Sequence, residues 1–231
     1  MRLDAEQSVP GAQIIGVSEH VDYWDGLGWR DPFSSSVFTE RQEAYRQALG
    51  EPASYPPQMV IDGRVALVGS FERDVRQAIA RAVGSPKAAM TVNRIDAGRP
   101  DMLTIRVRIA RLPALGNDAS AELWVGVTET GLATNVLRGE NARRRLRHTA
   151  VARRLERVDV LPARLATPYE TDIEVPLDPS WSRDQLRVVG FIQETSSRAV
   201  LGGGPALAGA LSPLGPPFQS GSSSWLRLLS R

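Results

Sequence analysis

His20 and Asp22, with Asp25 and Asp31 close behind, are the residues whose types and spacing come nearest to chemistry. His-x-Asp sets two hard or borderline ligands side by side, the beginning of a metal site. One imidazole among scattered carboxylates is a thin ligand set, and a structural role competes with it. In that role His20 and Asp22 end a strand and cap the loop behind it. Tyr23, Trp24, Trp29 and Phe33 then fill a seam between two domains with rings that carry a polar edge. No cofactor is implied. The two histidines are His20 and His148, and neither stands near a Gly-x-Ser-x-Gly turn, so no Ser-His-Asp machinery is legible. Gly202-Gly203-Gly204 is followed by no Lys-Ser/Thr pair and opens no helix, so it is not a phosphate loop.

The chain has no cysteine. That excludes a disulfide framework, a Cys-based zinc site and a thiol nucleophile. Disulfide exchange needs an attacking thiolate and a resolving partner, and no residue here can supply either. At 231 residues, with 42% apolar and 23% charged residues, the composition is that of a globular protein of one large or two modest domains. The net charge of +2 points to no nucleic-acid or membrane partner by itself. Lys87 is the single lysine among 28 basic residues, a bias that reads as a GC-rich bacterial genome rather than a binding surface. The sharpest charge feature is Arg138, Arg143-Arg144-Arg145, Arg147, Arg153-Arg154 and Arg157. Leu146, Val151 and Leu155 interleave it and Glu140, Glu156 and Asp159 dilute it, so a turn and a solvated strand face account for it. Without stacking aromatics nearby, nucleic-acid binding is disfavoured, and the partner is left as an unidentified protein or small molecule.

Positioning these residues requires elements that the pattern supplies. Gly11–Ser18 is a short apolar run, a strand buried on both faces. Ser34–Ser36 offer N-cap oxygens for a helix to Leu49, with Val37, Phe38, Ala44, Tyr45, Ala48 and Leu49 on its apolar face and Gly50 at C′. Pro57 must precede the strand that Met59-Val60-Ile61 begins, because proline cannot donate to a ladder. Asp62-Gly63 predicts a hairpin returning through Val65–Gly69, and a helix follows over Ser70–Val83. Proline, strand, turn, strand and helix in that order read as the second half of a thioredoxin-like domain. Beyond Gly84-Ser85-Pro86 the period changes from 3.6 to 2. Strands are expected over 91–95, 104–111, 122–130, 149–160, 170–175 and 185–193. The fold class is therefore α/β plus all-β: a thioredoxin-like domain over 1–86, an Ig-like β-sandwich over 88–201 and a disordered tail over 202–231. No window of 18 apolar residues spans a membrane, and Met1–Glu6 is no signal peptide.

Two segments carry a family resemblance together. Ser18-Glu19-His20-Val21-Asp22-Tyr23-Trp24-Asp25, followed by Leu27-Gly28-Trp29, Asp31-Pro32-Phe33 and Phe38–Gln42, is one. Pro57–Gly63 is the other, and Arg138–Asn141, Leu146-Arg147-His148 and Val188–Gln193 agree with it. The chain resembles the bacterial secreted family known as domain of unknown function twelve-twenty-three over about residues 10 to 201. The resemblance implies a thioredoxin-like domain, export to the periplasm or beyond, and kinship to thiol-handling proteins. Its active face would lie at His20, Asp22, Tyr23, Trp24, Trp29, Pro57 and Gln58. Members of that family begin with a signal peptide, a first strand and a Cys-x-x-Cys helix, and Arg2–Glu6 reads like the last turn of that helix. The expectation is thus an N-terminally incomplete, redox-inactive domain that as written would be cytoplasmic. The strands at Ile14–Ser18 and Met59–Ile61 would be left with unpaired facing edges. A non-catalytic binding or assembly module of the envelope is the alternative.

Overall fold

A computed structural model describes residues 2–95, 98–138, 142–206 and 223–230, the last of these as backbone only. In chain order the helices are α1 (Arg2–Glu6), α2 (Ser36–Leu49) and α3 (Glu72–Ala82). The strands are β1 (Gln13–His20), β2 (Gln58–Ile61), β3 (Val65–Val68), β4 (Ala89–Ile95), β5 (Met102–Arg111), β6 (Ser120–Glu129), β7 (Leu132–Asn135), β8 (Arg145–His148), β9 (Val151–Pro162), β10 (Tyr169–Pro176), β11 (Leu186–Glu194), β12 (Val200–Pro205) and β13 (Ser223–Ser230). The molecule is mostly β-sheet with few helices, a mixed α/β plus β fold.

One sheet runs through both expected domains, in the order β12-β11-β6-β9-β1-β13-β2-β3. The turn at Gly84-Ser85-Pro86 follows α3, yet strands from before and after it lie in the same sheet. The seam between the two sets is narrow. β9 meets β1 in parallel at Ser18↔Val151, where Ser18 N–H donates to Ala150 O at 2.7 Å. A second sheet, β10-β5-β4, covers β6 and β11. The strict alternation of Ile105, Val107 and Ile109 with Arg106 and Arg108 turns the first set into that core and the second to solvent.

The expected disordered tail is corrected on two segments. Residues 200–205 form β12, antiparallel to β11, and residues 223–230 form β13. β13 lies parallel to β1 over Gln13↔Ser223 to His20↔Ser230, and antiparallel to β2 over Ile61↔Leu226 to Gln58↔Leu229. The edges of β1 and β2 expected to stand unpaired are therefore paired, by a strand from the far end of the chain. The Gly, Pro and Ser content masked this, because it describes the connection and not Trp225–Leu229. Residues 207–222 lie outside the described residues, as do Gly139-Glu140-Asn141 of the resemblance.

Both faces of this part of the sheet are covered. Leu3 and Val9 at the N-terminus, with Val75, Ala78 and Ile79 of α3, close on Ile14, Met59 and Ile61. Phe38 of α2 closes on Ile15, Val17, Phe191 and Val200 on the opposite face. α2 starts where expected, with Ser35 as N-cap accepting from Val37 N–H, and stops at Gly50 in the left-handed region. Its buried face differs from the apolar pattern: Phe38, Arg41, Gln42 and Tyr45 are buried, while Val37 is exposed. Phe71 is the exposed N-cap of α3.

Candidate functional site

The loop after β1 is closed by its own polar groups. Asp25 accepts from Ser34 Oγ at 2.7 Å and from Asp31 N–H at 3.1 Å. Asp22 accepts from Thr39 Oγ1 at 2.6 Å. His20 is buried, with Nδ1 2.7 Å from Asp31 Oδ2. Asp31 also accepts from Phe33 N–H at 2.9 Å. Burial pushes the Asp31 carboxyl up, but the His20 hydrogen bond and charge and the Phe33 N–H outweigh it and hold it below its usual value. An ionised carboxylate only accepts, so His20 Nδ1 carries the proton. The carboxylates that could have joined His20 in a metal site are thus engaged in shaping the loop. Among the described residues, no three His, Asp or Glu side chains gather as a metal site.

The two histidines, far apart in sequence, meet in space. The His20 and His148 rings lie 5.2 Å apart, and Phe33 stands edge-on to both. His148 Nε2 is 2.8 Å from Thr134 Oγ1 across the β7–β8 hairpin. Burial and the neighbouring His20 lower the His148 pKa against the pull of Asp31.

The remaining expected residues fall in a second group. Tyr23 O–H donates to Gln42 Oε1 at 3.0 Å, and Gln42 Nε2 donates to Gln58 Oε1 at 3.1 Å. Gln58 is fully buried at the start of β2 and follows Pro57, which is exposed and joined to Pro56 by a cis bond. The Trp24 ring leans on Tyr23 at 5.7 Å, and Trp29 is half-buried. The structure therefore links Tyr23 to Gln58 through Gln42, and sets His20 apart with Asp31 and His148.

Sequence reasoning missed the groups that α2 buries. Arg41 Nε donates to Glu19 Oε2 at 3.1 Å with both side chains buried, and its guanidinium lies 4.0 Å over the Trp124 ring. Burial pushes the Glu19 carboxyl up despite Arg41. Tyr45 O–H accepts from Gln193 Nε2 at 2.7 Å, and burial pushes its hydroxyl to about 12. Arg41, Gln42 and Tyr45 share one helical stripe, a signal hidden by reading only apolar residues on it. This network joins β1, α2, β6 and β11 across the expected domain boundary.

An open cleft of about 390 Å³ lies between the start of α2, β9 and the turn after β10, lined by Phe33, Ser35, Val37, Arg153, Leu155 and Trp181. Arg153 sits between the Phe33 ring at 5.2 Å and the Trp181 ring at 5.5 Å. Behind it, buried Glu129 pairs with Arg153 Nε at 3.4 Å and accepts from Ser182 N–H at 2.9 Å. Part of the basic run is thus wall, not solvated face. Arg157 pairs with buried Glu122 at 3.0 Å, and Arg154 with Glu156.

A sheet-centred α/β plus β protein, with buried polar pairs between its elements and an open cleft over β9, is the class that these features define. The chain belongs to the family described as protein of unknown function DUF1223, which matches residues 2–193. The matched span ends inside β11, so β12 and β13 lie beyond it. A crystal structure of a protein from Agrobacterium tumefaciens, from a structural genomics consortium, is similar over 94% of this chain and 87% of its own. Its TM-score is 0.60 and its identity 21%, a likeness of fold alone. No curated protein matches the chain.

Proposed function

We propose that this chain is a redox-silent binding protein of an exported lineage, with a thioredoxin-like half and an Ig-like half, and that its ligand lies in the cleft over β9. The absence of cysteine supports redox silence, because exchange without a thiolate has no nucleophile. Two helices on one face of β1-β13-β2-β3, one on the other and a proline before β2 support the thioredoxin-like reading. Two packed β-sheets support the Ig-like one. Export rests on the family resemblance, and a phosphatase fusion to the gene's full reading frame tests it.

The observation that carries the binding reading is Arg153, held between two rings at the wall of an open cleft. Its pairing with Glu129 fixes its guanidinium before any ligand arrives, which reduces the ordering cost of binding. Arg154, more exposed than Arg153 and paired with Glu156, adds a second cation, and Val37, Leu155 and Trp181 supply apolar wall. A ligand with an apolar face and a carboxylate suits this lining. The test is a heteronuclear NMR titration with an acetylated tetrapeptide of alternating Leu and Glu. The reading expects saturable shifts centred on Arg153, Arg154 and the Trp181 indole, weakened several-fold in Arg154→Gln. Shifts scattered over the surface, or none at millimolar peptide, overturn it. Insulin reduction by dithiothreitol should run at the uncatalysed rate in its presence.

A further inference from the structure

We propose that the gap between β1 and β2 is a binding site for an extended polypeptide strand, and that Ser223–Ser230 occupies it as a tethered, replaceable ligand. The placement of β13 is unusual. It is neither an edge strand nor a hairpin partner of what precedes it. It enters the interior of a sheet between two strands that are otherwise complete, through a connection of residues 207–222 that is rich in Gly, Pro and Ser.

The rest of the site is made by residues up to and including β12. β1 presents one ladder edge and β2, already paired with β3, presents the other. The layers above and below come from earlier in the chain: α3 with Leu3 and Val9 on one face, α2 with Phe38 and Tyr45 on the other. Main-chain pairing to both neighbours supplies affinity in such strand addition, and alternate side chains supply selection.

The register states what the slot selects. Leu226 and Leu228 stand level with Ile61 and Met59, on the face covered by α3. Trp225 and Arg227 stand level with Ile15 and Val17, on the face covered by α2. At these levels the α3 face is apolar, while the α2 face also holds the buried Glu19, Arg41, Gln42 and Gln58, so the ligand is an extended segment of about four to six residues, apolar toward α3 and mixed toward α2, running parallel to β1. Trp225-Leu226-Arg227-Leu228-Leu229 meets that pattern, and it lies outside the span that the family shares. The pairing is lopsided, eight residues with β1 and four with β2, which leaves β2's side as the place where exchange begins.

The experiment uses the full chain with a protease recognition sequence inserted between Leu214 and Gly215. The folded protein is nicked, and a fluorescent synthetic peptide of residues 223–231 is added. A tethered occupant competes at an effective concentration on the order of millimolar, so the intact chain should bind little peptide at about 10 μM. After nicking, peptide binding should rise at least about ten-fold and saturate at one per chain, with the cleaved fragment released in step. A peptide with Leu228→Pro should fail, since proline removes a ladder donor and cannot sit in a central strand. Equal binding before and after nicking, or release of the fragment without uptake of peptide, overturns the proposal. So does equal binding of the proline peptide. Uptake of a second chain's C-terminal segment, seen as a dimer of the un-nicked protein that free peptide dissociates, supports the slot with a partner of the same kind.

Discussion

Gly63→Ala should be among the most damaging single-methyl additions available in this chain. Asp62 and Gly63 both have positive φ, 50° and 66°, which makes the β2–β3 connection the left-handed hairpin turn expected of Asp-Gly. A Cβ on Gly63 would lie 1.8 Å from the carbonyl oxygen of Arg198 and 2.8 Å from its carbon. The turn and the 198–200 segment must therefore separate by well over an ångström. That separation breaks the hydrogen bond from Val200 N–H to Asp62 O, 2.7 Å. It also pulls apart Lys87, whose buried ammonium donates to Asp62 Oδ2 at 2.7 Å and to Val200 O at 3.0 Å. A left-handed alanine costs about 1–2 kcal/mol, a hydrogen bond about 1, and a broken buried ion pair about 3–5. Partial relaxation leaves an expected loss of about 4–7 kcal/mol, a large share of a domain's net stability. Urea unfolding followed by tryptophan fluorescence measures it against two controls. Gly50→Ala has the positive φ but open space, and should lose about 1 kcal/mol. Gly84→Ala has neither constraint and should change little. If Gly63→Ala falls within 1 kcal/mol of Gly50→Ala, the interlock of hairpin tip and β12 is refuted.

Three further outcomes follow from the buried polar groups. Arg41→Met leaves the Glu19 carboxylate without its cation and should cost about 3–5 kcal/mol at pH 8. Because burial raises the folded Glu19 pKa above 4.5, the native state binds the extra proton, so stability is fully present at low pH and declines as pH rises. The cost of Arg41→Met should therefore shrink at pH 5, and a pH-independent loss in denaturant midpoints contradicts the pairing. His148 and Asp31 are both held low, so each contributes stability present above its unfolded pKa and lost as pH falls through the folded one. Stability should drop below about pH 6.5, and His148→Phe should flatten the pH 5–7 part of that slope; an unchanged slope by urea titration argues against it. Tyr45→Phe removes the Gln193 acceptor and should cost about 1–2 kcal/mol, with loss of the phenol that ionises at about 12 in alkaline difference spectra.

Much of the fold was legible because local signals and tertiary demands agreed. Ser35, Gly50 and Asp62-Gly63 bounded their elements by chemistry that needs no context, and Ile105–Ile109 declared its core face by alternation. The C-terminal strand was not legible. Its neighbours in sequence are Gly, Pro and Ser, and its partners, Gln13–His20 and Gln58–Ile61, are at the opposite end of the chain. The continuity of the sheet was hidden for a similar reason: it rests on one residue pair, Ser18↔Val151, and on a small seam of buried polar groups. Of the expected residues, Tyr23 is linked to Gln58 only through Gln42, a polar residue on a buried helix face. His20 was read with the carboxylates near it in sequence, and its second ring partner, His148, comes from a hairpin whose Arg-rich strand gave no sign of packing inward. The cleft over β9 was hidden because Arg153 and Trp181 are brought together only when β9 and the turn after β10 pack side by side.

The most direct test is native-state hydrogen exchange on the full chain, read residue by residue. A central β13 predicts that main-chain amides of 223–230 are protected as strongly as those of Ile14–Ser18 and Met59–Ile61, and that the three strands open together as denaturant is added. Exchange of 223–230 at the rate of an unstructured peptide, while β1 and β2 remain protected, would contradict it.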